Sequence, residues 1–175
     1  MKIVFSILTL FLISSIFSFS QELTSEELKL YNLIMEYRKS YGLPEIPISK
    51  SLTFVAQIHV RDLMINRPDT ADCNLHSWSN KGNWRPCCYT SNHAKSDCMW
   101  EKPRELTKYN DSGFEIAAYS GNYISAQSAL DLWKNSHGHN DVILNKNKWK
   151  KEWKAIGIGI YGNYAVVWFG YASDK

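Results

Sequence analysis

Four cysteines, Cys73, Cys87, Cys88 and Cys98, and five histidines, His59, His76, His93, His137 and His139, are the side chains of this 175-residue chain best suited to chemistry. Clustered cysteines bind zinc, act as nucleophiles or form disulfides. The spacing has no C-x-x-C pair, and adjacent Cys87 and Cys88 are poorly placed to ligate one tetrahedral ion. In an oxidising compartment an even count inside one short window reads as two disulfides stapling a single loop. A bridge between Cys87 and Cys88 would strain the peptide joining them, so each is expected to pair outward, with Cys73 and Cys98 in either order. Thiols used in this way are not available as nucleophiles. Ser77 and Ser136 each adjoin a histidine, yet no G-x-S-x-G elbow or orienting acid accompanies them. No H-E-x-x-H helix is present either.

The disulfide reading needs an exported chain, and the N-terminus supplies the argument. Lys2 precedes an apolar run from Ile3 to Phe17, followed by the small residues Ser18 and Ser20. This is the pattern of a signal peptide over 1–20, cleaved near Ser20 and Gln21, which implies a secreted or periplasmic protein. The run is shorter than the roughly 20 apolar residues that cross a bilayer, so a membrane-spanning anchor is not expected. Residues 21–175 are the size of one domain, read here as a monomer. Formal charge is +3, or one less without Lys2. So small an excess points to no nucleic-acid partner.

The elements that must position these side chains follow from patterning. Thr24 and Glu27 form a capping box opening a helix to about Tyr41, with Leu30, Ile34, Tyr37 and Tyr41 on one face. Gly42 and Pro44 stop it. A second helix runs from about Ser49 to Ile65, its buried stripe being Leu52, Val55, Ala56, His59 and Leu63, so His59 reads as a core histidine. The stretch 66–111 lacks periodicity and holds all the cysteines with Trp78, Trp84 and Trp100, which marks a stapled or functional loop. Gly113 to Tyr119 reads as a strand. Ser125 caps a helix through Asn135 with Ala129, Leu130 and Trp133 inward, and Gly138 is taken to end it. Ala155 to Tyr161 and Tyr164 to Tyr171 flank Gly162-Asn163 as a hairpin, whose glycines Gly157 and Gly159 keep one strand slim for close packing. Helices and strands in this order, without a βαβ repeat, make an α+β layered sandwich.

Several of these segments together resemble the CAP superfamily of cysteine-rich secretory, antigen 5 and pathogenesis-related proteins, also called SCP-like domains. Trp133 to His139 followed by Ile143-Leu144-Asn145 is similar to the W-x-x-S-x-G-H-x-x-x-I-L-N run of bacterial members. Ile156-Gly157-Ile158-Gly159 and Phe169-Gly170 match the last hairpin of that family, and Asn32, Arg38, Gly42 and Leu43 match its first helix. The resemblance implies a three-layer α-β-α sandwich with a largely antiparallel central sheet. It also implies a cleft holding two histidines and one or two glutamates that in several relatives binds a divalent cation such as zinc. Carried onto this sequence, the cleft residues are His76 and His139, with His137 an additional imidazole and Ser136 where a second glutamate would fall. The family's G-E-N-I-A stands here as Gly113-Phe114-Glu115-Ile116-Ala117, one step displaced. Neighbours on a strand face opposite sides, so Glu115 is expected to reach the cleft only through a bulge or register offset. Glu101 or Glu105 could instead come in from the loop.

Two imidazoles and a carboxylate would be a competent three-ligand zinc set with room for an activated water. The resulting reading is a secreted binding or interaction protein for an extracellular ligand, lipid-like or glycan, bordered by Trp78, Trp84 and Trp100 as ligand contacts. The alternatives are a zinc-type hydrolase of extracellular peptide or envelope polymer, and a passive envelope component. The lysine-rich run from Lys146 to Lys154 around Trp149 and Trp153 is read mainly as a solvated rim on a packed aromatic. His93 is read as loop surface.

Overall fold

The computed structural model describes residues 22–174. The segment read as a signal peptide, 1–20, lies outside them. Among the described residues no helix is long and apolar enough to cross a membrane.

Helix α1 spans Ser25–Ser40, opened by the Thr24–Glu27 capping box, with Glu27 also reaching across to Gln57. Helix α2 spans Lys50–Asn66 and is capped by Ser49, whose hydroxyl accepts from the Leu52 N–H. Two short helices, α3 at Ser96–Trp100 and α4 at Lys102–Leu106, precede strand β1 at Gly113–Tyr119. Helix α5 at Ala126–Lys134 and α6 at His137–Ile143 lead to the hairpin of β2, Ala155–Tyr161, and β3, Tyr164–Gly170. Gly162 turns that hairpin at φ +58°, a conformation that costs glycine little.

The strands form one antiparallel sheet in the order β1-β3-β2, with β3 central and buried throughout. Helix α2 covers one face, over Ala117, Ala155, Val166 and Trp168. Helices α1, α5 and α6 cover the other, over Ile116, Ile156, Ile158, Val167 and Phe169. This is the α-β-α sandwich that the family resemblance implies and the layered α+β fold that the patterning predicts. The slim strand packs against α2: a Cβ on Gly157 would stand 2.1 Å from the Leu52 carbonyl carbon, and one on Gly159 2.5 Å from that of Ala56. Only hydrogen at these positions lets the helix axis approach β2 so closely.

One boundary is corrected. Gly138 does not end the tryptophan-bearing helix; it lies in the first turn of α6, which starts anew at Ser136 after α5 stops at Asn135. Buried Arg38 of α1 fixes the far end of α6. Its guanidinium donates to the Ile143 carbonyl at 2.5 Å, to Asn145 Oδ1 at 2.8 Å and to the Pro44 carbonyl. Carbonyls left over at a helix end are thereby satisfied, and α6 is held where His139 faces the sheet edge.

Candidate functional site

The stapled loop is built as two short runs laid side by side. Trp78 and Cys87 exchange both backbone hydrogen bonds, and the Asn74 N–H donates to the Tyr89 carbonyl. Disulfides join Cys73 to Cys88 and Cys87 to Cys98, which settles the pairing left open by the sequence. Each adjacent cysteine does pair outward. Asn74 Oδ1 accepts the His76 N–H at 3.0 Å, and the Ser77 hydroxyl accepts from Tyr89 N–H at 2.9 Å. These contacts place His76 on the sheet edge formed by β1.

There Glu115 is the centre of a buried chain. Its Oε1 is 2.7 Å from His76 Nδ1 and its Oε2 is 2.5 Å from Nδ1 of His59. His59 Nε2 is 2.9 Å from the Ser77 carbonyl oxygen. The side chains of His59 and Glu115 are wholly shielded from solvent, while His76 keeps 16% exposure. Burial alone would push the Glu115 carboxyl up, but the charge of His59 and the hydrogen bonds from both imidazoles outweigh it and hold the carboxyl below its ordinary value.

Around this chain opens a cavity of about 620 Å³, lined by His76, Glu115, His139 and Ser136 together with Tyr89, Met99, Trp100, Phe114, Val142 and Trp149. Phe114 links Trp100 and Trp149, at centroid distances of 5.7 and 5.1 Å. The strand register from Gly113 to Tyr119 is unbroken, so the expectation of a bulge is corrected. The cavity sits at the open edge of β1, where residues from both faces of one strand end can line it. Phe114 does so from the α1 side and Glu115 from the α2 side.

The geometry brings together His76, Glu115 and His139 but leaves His137 out: it is exposed, and it does not line the cavity. Trp78 is corrected from a ligand contact to a core residue, 2% exposed and stacked on His59 at 4.1 Å. Trp84 packs edge-on against Trp78 and borders a separate groove with Ile58 and Arg61. Of the three loop tryptophans only Trp100 faces the cavity. Glu101 and Glu105 are engaged by Arg104 and Lys102, away from it. His93, read as loop surface, is exposed but also lines the cavity, its Nδ1 2.9 Å from the Tyr89 hydroxyl. His59 is hidden from sequence reading by its place in an apolar helical stripe, and Trp149, which could stack on a ligand, reads more simply as part of a lysine-solvated rim.

Of the zinc set expected from His76, His139 and Glu115, the carboxylate is the member already engaged by the protein. Both oxygens of Glu115 are taken by imidazole nitrogens, and both nitrogens of His59 are taken by acceptors. Among the described residues, no three histidine, cysteine, aspartate or glutamate side chains converge as ligands for an ion. Glu115 serves as the common acceptor of both imidazoles.

His139 is set apart by its surroundings. Burial, then the neighbouring His76, push it down to about 4 against the opposing pull of Glu115. The unfolded chain takes up this proton near 6.5 and the folded protein only near 4, so stability present above pH 6.5 is lost as pH falls to about 4. The loss attributable to His139 is up to about 3 kcal/mol. Urea unfolding across that range is expected to show it, and His139→Gln is expected to flatten this part of the profile.

A three-layer sandwich with a histidine-and-glutamate cleft at the edge of an antiparallel sheet defines the SCP-like class of domain. Residues 31–169 match the cysteine-rich secretory protein family, CAP, and the chain belongs to it. Solved structures agree on the fold. An extracellular SCP-domain protein of Bacillus anthracis has a TM-score of 0.59 at 19% identity over 86% of this chain and 40% of that one. An outer surface protein of Borrelia burgdorferi has 0.56 at 22% identity over 88% and 97%. A cysteine-rich secretory protein of Staphylococcus aureus has 0.52 at 17% identity over 82% and 37%. The chain thus spans about two fifths of the first and third proteins and nearly all of the second. No curated protein sequence matches it significantly.

Proposed function

We propose that this chain is an exported binding protein whose cleft takes a lipid-like extracellular ligand. The observation that carries this reading is the lining of the cavity. Met99, Trp100, Phe114, Val142 and Trp149 give it an apolar portion, and His76, Glu115, Ser136, His139, Asp141 and Lys148 a polar one. Small-molecule sites have this mixed character and volumes of roughly 300–1,000 Å³. Here an acyl or ring portion lies on the aromatic wall and a polar head meets the imidazoles. Export is supported by the two disulfides and by the extracellular or surface descriptions of the structural relatives.

Titration of the purified protein with a fluorescent fatty acid tests this reading, with a chitin oligosaccharide as the contrasting probe. Saturable binding of the fatty acid, weakened about tenfold or more by Trp149→Ala or Trp100→Ala, is expected, a factor of ten corresponding to about 1.4 kcal/mol. Saturable binding of the oligosaccharide alone would replace the lipid with a glycan. Binding of neither, or binding indifferent to both substitutions, would defeat the proposal.

A further inference from the structure

His59 faces an acceptor on each side. A backbone carbonyl can only accept, so Nε2 opposite Ser77 must carry a proton. Nδ1 lies 2.5 Å from Glu115, and that contact also needs a proton between the two atoms. The second Glu115 oxygen meets His76 Nδ1, where a proton is again required. With Glu115 as a carboxylate, the arrangement is satisfied in one way: His59 carries protons on both nitrogens, and His76 carries its proton on Nδ1. The remaining nitrogen of His76, Nε2, has no hydrogen-bond partner among the described residues and belongs to a ring that lines the cavity.

We propose that His59 is a positioning residue that holds His76 as a neutral hydrogen-bond acceptor toward the cleft. It balances the charge of Glu115 from behind, so the carboxylate does not draw a second proton onto His76. The group meeting His76 Nε2 must then be one that its lone pair can take: a hydroxyl, that of a protonated carboxylic acid included, an amide N–H or a cation. The inference rests on the cleft being the binding site, but its chemistry exists in the free protein. Other elements packed around the chain leave this assignment intact. His139 of α6, pushed down to about 4 by burial and by the neighbouring His76, brings no charge to the cluster near neutral pH. Tyr89 pairs with His93. Lys102 of α4 lies behind Trp78, 5.2 Å from its ring, and donates to Glu105 and the Arg85 carbonyl. Asp62, one turn along α2 from His59, accepts from Ser79. A buried imidazolium and carboxylate with every proton placed is the arrangement under which such a pair is tolerated.

Long-range proton–nitrogen correlation of the imidazoles in nitrogen-15-labelled protein, near neutral pH and without ligand, reads this directly. Both nitrogens of His59 are expected to report as N–H, and His76 is expected to show a protonated Nδ1 and a bare Nε2. A bare nitrogen on His59, or a proton on His76 Nε2, would overturn the proposal. His59→Phe keeps a ring against Trp78 but removes both hydrogen bonds; His76 is expected to gain its second proton. His59→Gln retains a donor to Glu115 but not the charge, and is expected to do the same. An unchanged His76 in whichever of these variants folds would remove His59 from the role. Failed fatty-acid binding with the expected nitrogen pattern would refute only the lipid reading, and the converse would refute only this one.

Discussion

Replacing Glu115 with alanine is expected to cost about 3–5 kcal/mol of folding stability, the range seen when one partner of a buried ion pair is removed. The side chain is wholly shielded and each oxygen has one imidazole partner, His59 at 2.5 Å and His76 at 2.7 Å. Truncation leaves His59 with an unmatched nitrogen in the core and His76 with nothing to fix its ring. The pH dependence gives an independent check. A carboxyl held below its ordinary value in the folded state stabilises the protein above the unfolded value of 4.5, and that contribution disappears as pH falls through the lower folded value. The gap between wild type and Glu115→Ala measured by urea unfolding should therefore be widest near neutrality and narrow below about pH 4.5. A gap under about 1 kcal/mol at neutral pH would mean that the pair contributes no more than a surface contact.

The double substitution Cys73→Ser with Cys88→Ser comes next in size. This bridge closes a loop of sequence separation 15, and releasing it adds conformational freedom to the unfolded chain worth about 3 kcal/mol. Its effect on the cleft should exceed its effect on the sheet. Helix α2 and the hairpin pack through Gly157 and Gly159 without help from the loop. His76 and Tyr89, by contrast, owe their placement to the paired runs that Cys73 and Cys88 join. Fatty-acid binding should fall before global unfolding does as the variant is titrated with urea, whereas in the wild type the two should coincide. Coincidence in the variant would show that the remaining contacts suffice to hold the loop.

Much of the architecture was legible because it rests on local rules. The Thr24–Glu27 box, the Ser49 and Ser125 caps, the Gly162 turn and the alternation of the final hairpin each depend on residues a few positions apart. Gly157 and Gly159 announced a close neighbour, although only the structure identifies it as α2. The start of α6 was missed because a glycine after a helical run reads as a stop, while Ser136 can open a new helix immediately.

Most of the site was not legible in this way. The sequence by itself pointed to outward-pairing cysteine bridges and a layered α+β sandwich, and its resemblance to the CAP superfamily made His76 and His139 candidates for one cleft. It could not decide what Glu115 does. Strand alternation turns Glu115 away from Phe114, and that rule holds; what alternation cannot foresee is a cavity at a strand end open to both faces. Nor could it distinguish His59 from any other buried residue of an apolar stripe. Its partner lies 56 positions away, and the pairing exists only because β1 is laid beside α2. Periodicity reports which face of an element is buried, not which polar groups meet there. That meeting was settled by tertiary packing, which puts the Glu115 carboxylate between two histidines.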